Sequence, residues 1–438
     1  MKVAVVGAGK MGLPLACQIA SRGASVISCD RSQAVVDAIN DGRMLFDEPG
    51  VGELLKAARV SGSISAVTNV TEGVRGCDVV IVIIPVLLTA DGKADLAIID
   101  QVSREIAAAL SPGMMISYET TLPVGTTRNH LRTLLEASGL KAGSDFDLVF
   151  SPERVKSRLV MKHLTTVPKI VGGFSASAAQ RGAKFYGDYL GAPVINVETL
   201  EAAEFVKVAG MIYRDVNIAL ANELAGYAER AGVNFGEAIR AANTDGEAYL
   251  LSPGIGVGGH CTPVYPYFAL DDSRKRGVTL KLTAEARRIN DGQAAHALDR
   301  VEEAGAKLSG ARILVLGLGF RPEVKEHTLS TAFLIRQEAL KRHAKVYLHD
   351  PLYAPTEIAT HGFEPWAMEN EDWPEIVVLN TAHRAYADPD FTNWRERGVR
   401  YLVDGRNFWD PKRATAAGLQ YFAPGLPALS GQVLAHQI

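Results

Sequence analysis

The chain has 438 residues, 47% of them hydrophobic and 22% charged, with a formal net charge of −3. That length predicts two to three domains with substantial cores, and the charge balance gives no electrostatic basis for nucleic acid or an anionic membrane as the main partner. Cys17, Cys29, Cys77 and Cys261 form no CxxC pair and no metal-ligand spacing, so a reducing compartment and no metal centre are expected. The start lacks a basic segment followed by a cleavable apolar stretch, and no apolar run approaches the ~18 residues of a membrane span. Cytosol is the expected location.

The first apolar run, Val3 to Val6, leads into Gly7, Gly9 and Gly12 and then a helical pattern from Leu13 to Ser21. This is GxGxxG between a strand and a helix, the setting in which it binds a dinucleotide. Gly7 makes the turn, Gly9 admits the pyrophosphate, Gly12 lets helix and strand pack, and the first helical N–H groups face the phosphates. A second apolar run, Ala24 to Cys29, ends in Asp30, placed to accept from the adenosine ribose 2′-OH. A carboxylate there repels a 2′-phosphate, so NAD is expected over NADP. A glycine turn that binds no dinucleotide is the competing reading.

Further strand candidates are Val79 to Ile84, Met114 to Tyr118, Phe146 to Phe150, Lys169 to Val171 and Pro193 to Asn196, alternating with helical stretches. The alternation predicts a doubly wound parallel sheet. From Glu198 to about Ala231 the pattern is one long helix with Asn217, Asn222 and Glu223 amid aliphatics. Helical sequence continues to Asn243 and again from Lys281 to Lys307. A helix longer than about 25 residues often bridges domains or forms a dimer surface. Between these lies Gly254-Ile255-Gly256-Val257-Gly258-Gly259-His260-Cys261-Thr262-Pro263, a cysteine at the end of a glycine run. Glycines let backbone approach a ligand, so this thiol is expected within reach of a substrate; a cysteine packed as a small hydrophobe is the alternative.

After Ser309-Gly310 a strand at Arg312 to Leu316 runs into Gly317-Leu318-Gly319-Phe320-Arg321-Pro322, and a helix leads to Lys345 to His349 and Asp350. The glycine spacing is incomplete, which predicts a second Rossmann-like domain without a second dinucleotide. The segment after Pro427 is expected to be poorly ordered. The fold class is α/β: two Rossmann-like doubly wound domains joined by a central helical dimerisation region. The expected bounds are 1–200 for the NAD-binding domain, 201–305 for the central region carrying the Cys261 loop, and 306–438 for the C-terminal domain.

With these parts in order, the chain from Met1 to about Pro411 resembles the UDP-glucose/GDP-mannose dehydrogenase family of nucleotide-sugar 6-dehydrogenases. Gly256 to Pro263 is similar to the family's catalytic-cysteine loop, and Tyr213 to Leu224 to the central helix of the branch acting on UDP-N-acetylhexosamines. Thr121-Leu122-Pro123-Val124-Gly125-Thr126-Thr127, Ser151-Pro152-Glu153-Arg154 and Asp404-Gly405-Arg406-Asn407 match further family motifs.

The resemblance implies a double oxidation at sugar C6, alcohol to carboxylate, with two NAD. It makes Cys261 the nucleophile that forms a thiohemiacetal and then a thioester, and Glu153 the group that activates water. Lys207 stabilises developing oxyanions, and Thr121 holds the reacting oxygen or water. The implied cofactor set is Gly7, Gly9, Lys10, Met11, Gly12, Asp30, Arg31, Pro85 and Thr121. The implied substrate set is Glu153, Arg154, Lys207, Gly256, Gly258, Gly259, Arg321 and Arg406. The substrate is UDP- or dTDP-glucose or a UDP-N-acetylhexosamine, and a homodimer is expected.

Several positions depart from the family pattern. Tyr265 stands where an aspartate is usual, Met211 for an asparagine, and Glu247 for an arginine that reaches the sugar from the partner subunit. Arg321 to Thr328 replaces Lys-Pro-Asn-Thr-Asp-Asp-x-Arg, and Pro85-Val86-Leu87 replaces Pro-Thr-Pro. Two alternatives stay open: a non-catalytic binding relative, and an oxidation that stops at the aldehyde.

Overall fold

The computed structural model describes residues 1–428, so the segment expected to be poorly ordered lies, from residue 429, outside the described residues. The chain divides into two compact units. One comprises Met1–Gly210 with Tyr267–Val278, and the other Met211–Pro266 with the chain from Thr279 onward.

In the first unit, eight strands form one sheet: β1 (Lys2–Val6), β2 (Ser25–Cys29), β3 (Ile64–Val67), β4 (Val79–Val82), β5 (Met115–Tyr118), β6 (Asp147–Phe150), β7 (Lys169–Gly173) and β8 (Val194–Thr199). Their order is β3-β2-β1-β4-β5-β6-β7-β8. The central strands β1 and β4 are valine-rich and, apart from Lys2, buried along their length, as strands covered on both faces must be. Leu13, Ile19 and Phe185 from the helices Gly12–Ser21 and Ala176–Leu190 pack on Val5, Ile81 and Val149.

Two features differ from the sequence reading. The strand Ile64–Val67 was not expected, because its alternating burial leaves only Ile64 and Ala66 fully inside. The sheet is not parallel throughout: β7 pairs antiparallel with β6, Phe150 opposite Gly172, and β8 then runs parallel to β7. The intervening segment never crosses to the other edge of the sheet. Glu153, just beyond β6, and Lys169, which opens β7, therefore line the same cavity.

The second unit holds a six-stranded sheet of β9 (Arg312–Leu316), β10 (Lys345–His349), β11 (Glu364–Pro365), β12 (Ile376–Leu379), β13 (Tyr401–Asp404) and β14 (Gln420–Phe422), in the order β11-β10-β9-β12-β13-β14. Every pairing is parallel. Here the turn after β9 is closed by protein. A Cβ on Gly317 would lie 2.4 Å from the Thr381 Cβ, and Asp350 Oδ2 accepts from the N–H groups of Leu318 and Gly319 at 2.7 and 3.1 Å.

The long helix is Leu200–Ala231, and Gly210 is its last residue in the first unit. The expected stretch Lys281 to Lys307 is two helices, Lys281–Asp291 and Gln293–Glu303, broken at Gly292. A further helix, Tyr265–Lys275, was not anticipated; Pro263 and Pro266 mask its start, although proline is tolerated in a first turn. No helix among the described residues is long and apolar enough to cross a membrane.

Candidate active site

In the first unit the strand order reverses between β1 and β4, the crevice where open α/β sheets bind ligands at their carboxyl ends. Gly7 follows β1 with φ +102, a value that side-chain-bearing residues rarely adopt. A Cβ on Gly12 would sit 1.8 Å from the Gly7 carbonyl oxygen, so the turn closes only with hydrogen there. Gly9 differs: nothing lies within 4 Å of where its Cβ would be. The turn is tight against protein at Gly7 and Gly12 and open at Gly9, as a pyrophosphate requires. The helix Gly12–Ser21 has no acidic residue in its first turn to compete for its N–H groups.

Asp30 follows β2 and has its own backbone contacts. Oδ2 accepts from the Ala8 N–H and Oδ1 from the Ser32 N–H, both at 3.0 Å. Each oxygen keeps a lone pair for a ribose hydroxyl, so one carboxylate ties the glycine turn to the end of β2. Lys10 and Met11 are half-buried, while Arg31 and Pro85 are exposed.

Thr121 lies beyond β5 and Glu153 beyond β6, at the same edge of the sheet. Thr121 is buried. Lys207, on the long helix and buried, donates to the Glu153 carbonyl oxygen at 2.5 Å and lies 3.5 Å from Glu153 Oε2. Glu153 Oε1 accepts from the Val155 N–H. Arg154 is exposed, with Nη1 donating to the Pro168 carbonyl at 3.4 Å. Glu153, Arg154, Met11, Ile83, Glu119 and Lys169 line one cavity.

Two carboxylates of this unit escaped sequence reasoning. Glu119 is buried against Lys169 Nζ at 2.5 Å and accepts from Tyr186 Oη at 2.8 Å; burial and the nearby Glu119 push the Tyr186 hydroxyl well up. Glu204, one helical turn before Lys207, accepts from the N–H groups of Gly125 and Thr127 at 2.5 and 2.9 Å and from Thr127 Oγ1 at 2.6 Å. Burial pushes Glu204 up to about 7 against those donors. The long helix thus holds the Thr121 loop through Glu204 and the Glu153 loop through Lys207. A carboxylate one turn before Lys207 on the same helix was the available signal for Glu204.

In the second unit the Cys261 loop packs against the segment that follows β9 and the start of the helix Thr331–Lys341. A Cβ on Gly258 would meet the Phe320 Cβ at 2.6 Å, and one on Gly256 would meet Thr331 Cγ2 at 2.7 Å. Gly259 has φ +107 and donates its N–H to the Thr328 carbonyl at 3.0 Å. These glycines let the loop approach protein closely. Arg406 is drawn onto the same loop, with donors to the carbonyls of Asn380 at 2.6 Å and Gly256 at 3.4 Å and to Thr331 Oγ1 at 3.3 Å. Burial pushes its guanidinium down to about 10. Arg321 is exposed, 5.8 Å from the Phe320 ring centroid.

The four cysteines separate by environment. Cys17, Cys29 and Cys77 are buried. Burial pushes Cys17 and Cys29 up to about 12 and raises Cys77, so these thiols stay protonated and inert. Cys261 is half-buried, with Sγ 3.9 Å from Tyr265 Oη. The residue in place of the usual aspartate therefore keeps a hydroxyl beside the thiol. Glu247 is exposed and Met211 half-buried. Among the described residues no group of three or more His, Cys, Asp or Glu side chains is arranged to hold a metal.

Three family models match consecutive parts of the chain. They are the NAD binding domain of the UDP-glucose/GDP-mannose dehydrogenase family over residues 1–190, its central domain over 201–292 and its UDP binding domain over 314–411. A UDP-N-acetyl-D-mannosamine dehydrogenase of Pyrococcus horikoshii is 33% identical over 93% of this chain and 96% of its own length. An NDP-N-acetyl-D-galactosaminuronic acid dehydrogenase of Ralstonia nicotianae is 31% identical over 94% of this chain and 97% of its own. Among solved structures, a UDP-D-ManNAc dehydrogenase from Pyrococcus horikoshii superposes with TM-score 0.86 at 30% identity, covering 97% of this chain and 99% of that one.

Proposed function

This chain belongs to the UDP-glucose/GDP-mannose dehydrogenase family, and we propose that it oxidises C6 of a nucleotide-diphosphate sugar twice, from alcohol to carboxylate. It is an NAD-dependent oxidoreductase with a UDP-binding domain. The names of its relatives favour a UDP-N-acetylhexosamine as substrate, with UDP- or dTDP-glucose as the other candidates.

When bound, NAD supplies the hydride acceptor for each oxidation. Gly7, Gly9 and Gly12 hold its pyrophosphate and Asp30 its adenosine ribose. In the first oxidation the C6 hydroxyl passes its proton to a bound water while the buried Lys207 ammonium stabilises the developing alkoxide. The Cys261 thiolate then adds to the C6 aldehyde carbon, forming a C–S bond and a thiohemiacetal. Loss of its hydride and hydroxyl proton leaves a thioester. Glu153 takes a proton from water as that water adds to the thioester carbonyl, with Thr121 holding the water. The C–S bond breaks, the thiolate returns and the carboxylate is released. Arg154, Arg321 and Arg406 belong to the proposed substrate-binding set.

The observation that carries the covalent half is the contrast among the cysteines: three buried and held protonated, and Cys261 half-buried at the end of a glycine loop. The domain division 1–200, 201–305 and 306–438 and a cytosolic location belong to the same proposal. So does a homodimer built on the long helix. Tyr213, Leu220 and Tyr227, spaced by seven residues on that helix, are 63%, 40% and 73% exposed, an apolar stripe too long for a solvent face.

The test is stoichiometry at 340 nm with a panel of UDP-, dTDP- and GDP-sugars. Two NADH per sugar and a carboxylate product support the reading. One NADH with free aldehyde replaces it with the single oxidation, and binding without turnover with the non-catalytic one.

A further inference from the structure

A buried chain of polar side chains runs through the second unit to the base of the Cys261 loop. Asp215 and Asn222 lie about two turns apart on the long helix, and Arg287 and Asn290 on the helix Lys281–Asp291. Each is at most 3% exposed. Arg287 Nη1 donates to Asp215 Oδ1 at 2.6 Å. Asn290 Nδ2 donates to the same oxygen at 2.8 Å and to the Asp215 carbonyl at 3.0 Å. Asn290 Oδ1 accepts from Asn222 Nδ2 at 2.9 Å, and Asn222 Oδ1 accepts from the Gly254 N–H at 2.9 Å.

A primary amide can occupy its space either way round, with donor and acceptor exchanged. Here the choice is made at one end. The carboxylate of Asp215 only accepts, so Asn290 turns its NH2 toward Asp215 and its oxygen toward Asn222. Asn222 then turns its NH2 toward Asn290 and its oxygen toward Gly254. Arg287 supplies the charge that holds Asp215 as an acceptor despite its burial. The chain ends on an acceptor aimed at the backbone where the glycine loop begins.

We propose that Asn222 is a positioning residue for the nucleophile loop, with Asp215 and Asn290 setting the direction of the hydrogen bond it offers. The inference rests on Cys261 being the nucleophile. The loop's other backbone ties run to the C-terminal sheet region: Ile255 N–H to Gly405 O and Gly259 N–H to Thr328 O, each 3.0 Å. Asn222 is the side-chain tie to the long helix. A run containing Gly254, Gly256, Gly258 and Gly259 has wide conformational freedom, and freeing one end spreads the thiol over positions from which attack is slow.

The experiment uses the full chain with NAD and the sugar nucleotide that it oxidises. Asn222→Ala removes the tie. Asn222→Asp keeps the shape: as a carboxylate it faces the Asn290 oxygen without a proton, and as a carboxylic acid it donates to Asn290 while accepting from Gly254. For Asn222→Ala we expect kcat for acid formation to fall on the order of 100-fold. Iodoacetamide alkylation of Cys261 should change severalfold, while NAD affinity stays within about twofold. For Asn222→Asp the rate relative to the unmutated chain should recover as the pH falls from about 8 to about 5.5, where a buried carboxyl takes up its proton. That ratio cancels what Asp215, Arg287 and Asp291, and Arg406 beside Gly254, contribute to both proteins. For Asn222→Ala the same ratio should stay flat. Unchanged rates in both variants, or a flat ratio for Asn222→Asp, overturn the inference; if Asn222→Ala does not fold, the Asn222→Asp ratio decides alone. Cys261→Ala separates this result from the underlying reading. Acid formation surviving in Cys261→Ala removes the nucleophile itself, whereas an inactive Cys261→Ala beside fully active Asn222 variants removes only the positioning role.

Discussion

Lys207 Nζ sits 2.5 Å from the carbonyl oxygen of Glu153 and 3.5 Å from its carboxylate. One buried ammonium therefore fixes the loop carrying the proposed general base and also adds positive charge beside it. Lys207→Met removes both effects. We expect kcat to fall by about 100- to 1,000-fold, the scale for losing one oxyanion donor, with NAD affinity nearly unchanged. Lys207→Arg should not restore the rate, because a planar fork does not replace a compact ammonium. Steady-state kinetics with a fluorescence titration of NAD would check both; a loss confined to KM would contradict them.

The Tyr265 hydroxyl lies 3.9 Å from Cys261 Sγ, where the family pattern carries an aspartate. A phenol deprotonates far less readily than a carboxyl group, so thioester hydrolysis should be the slow step. Rapid mixing should show a burst of NADH, and intact mass should show an adduct on Cys261. Tyr265→Asp should shrink the burst and raise the steady-state rate. A linear time course with no adduct would mean that hydrolysis does not limit turnover.

Asp30 joins the glycine turn to the end of β2 through Ala8 and Ser32. Asp30→Ala should weaken NAD binding by about 1.5–3 kcal/mol, the range for hydrogen bonds to a charged group. NADP should lose less, because the charge that opposes its 2′-phosphate is gone. Binding isotherms for both dinucleotides decide this, and equal or better use of NADP by the unmutated chain would refute it.

Burial raises Glu204 from 4.5 to about 7. The folded chain then holds this proton more tightly than the unfolded chain, so Glu204 lowers stability as the pH rises. Its cost is absent below the unfolded pKa, grows between about 4.5 and 7, and is constant above that, reaching up to ~3 kcal/mol. Glu204→Gln should remove this part of the pH dependence. Urea midpoints at pH values spanning that window, compared between the two proteins, measure it; parallel curves would mean that Glu204 is not titrating there.

Tyr213 and Tyr227 lie on the exposed stripe of the long helix. Replacing both by Asp should convert a dimer to a monomer in light scattering across a dilution series. A monomeric mass for the unmutated chain would count against the stripe as an interface.

Local pattern was enough for much of this molecule. The β9 and β10 strands lie where apolar runs and turn residues placed them, as do the Gly7 turn and most of the long helix. These features depend on period and backbone sterics within a few residues, which a single sequence displays. The family motifs likewise marked Thr121, Glu153, Lys207 and Cys261 as candidates. Tertiary structure decided what joins distant segments: the reversed direction of β7, Glu204 on the Thr121 loop, Asp350 on the turn after β9, and the amide chain from Asp215 to Gly254. It also showed that Gly256 and Gly258 give room to Thr331 and Phe320. Partners separated by tens of residues leave no periodic trace, because their meeting is set by how buried faces pack and by the need to satisfy each buried polar group.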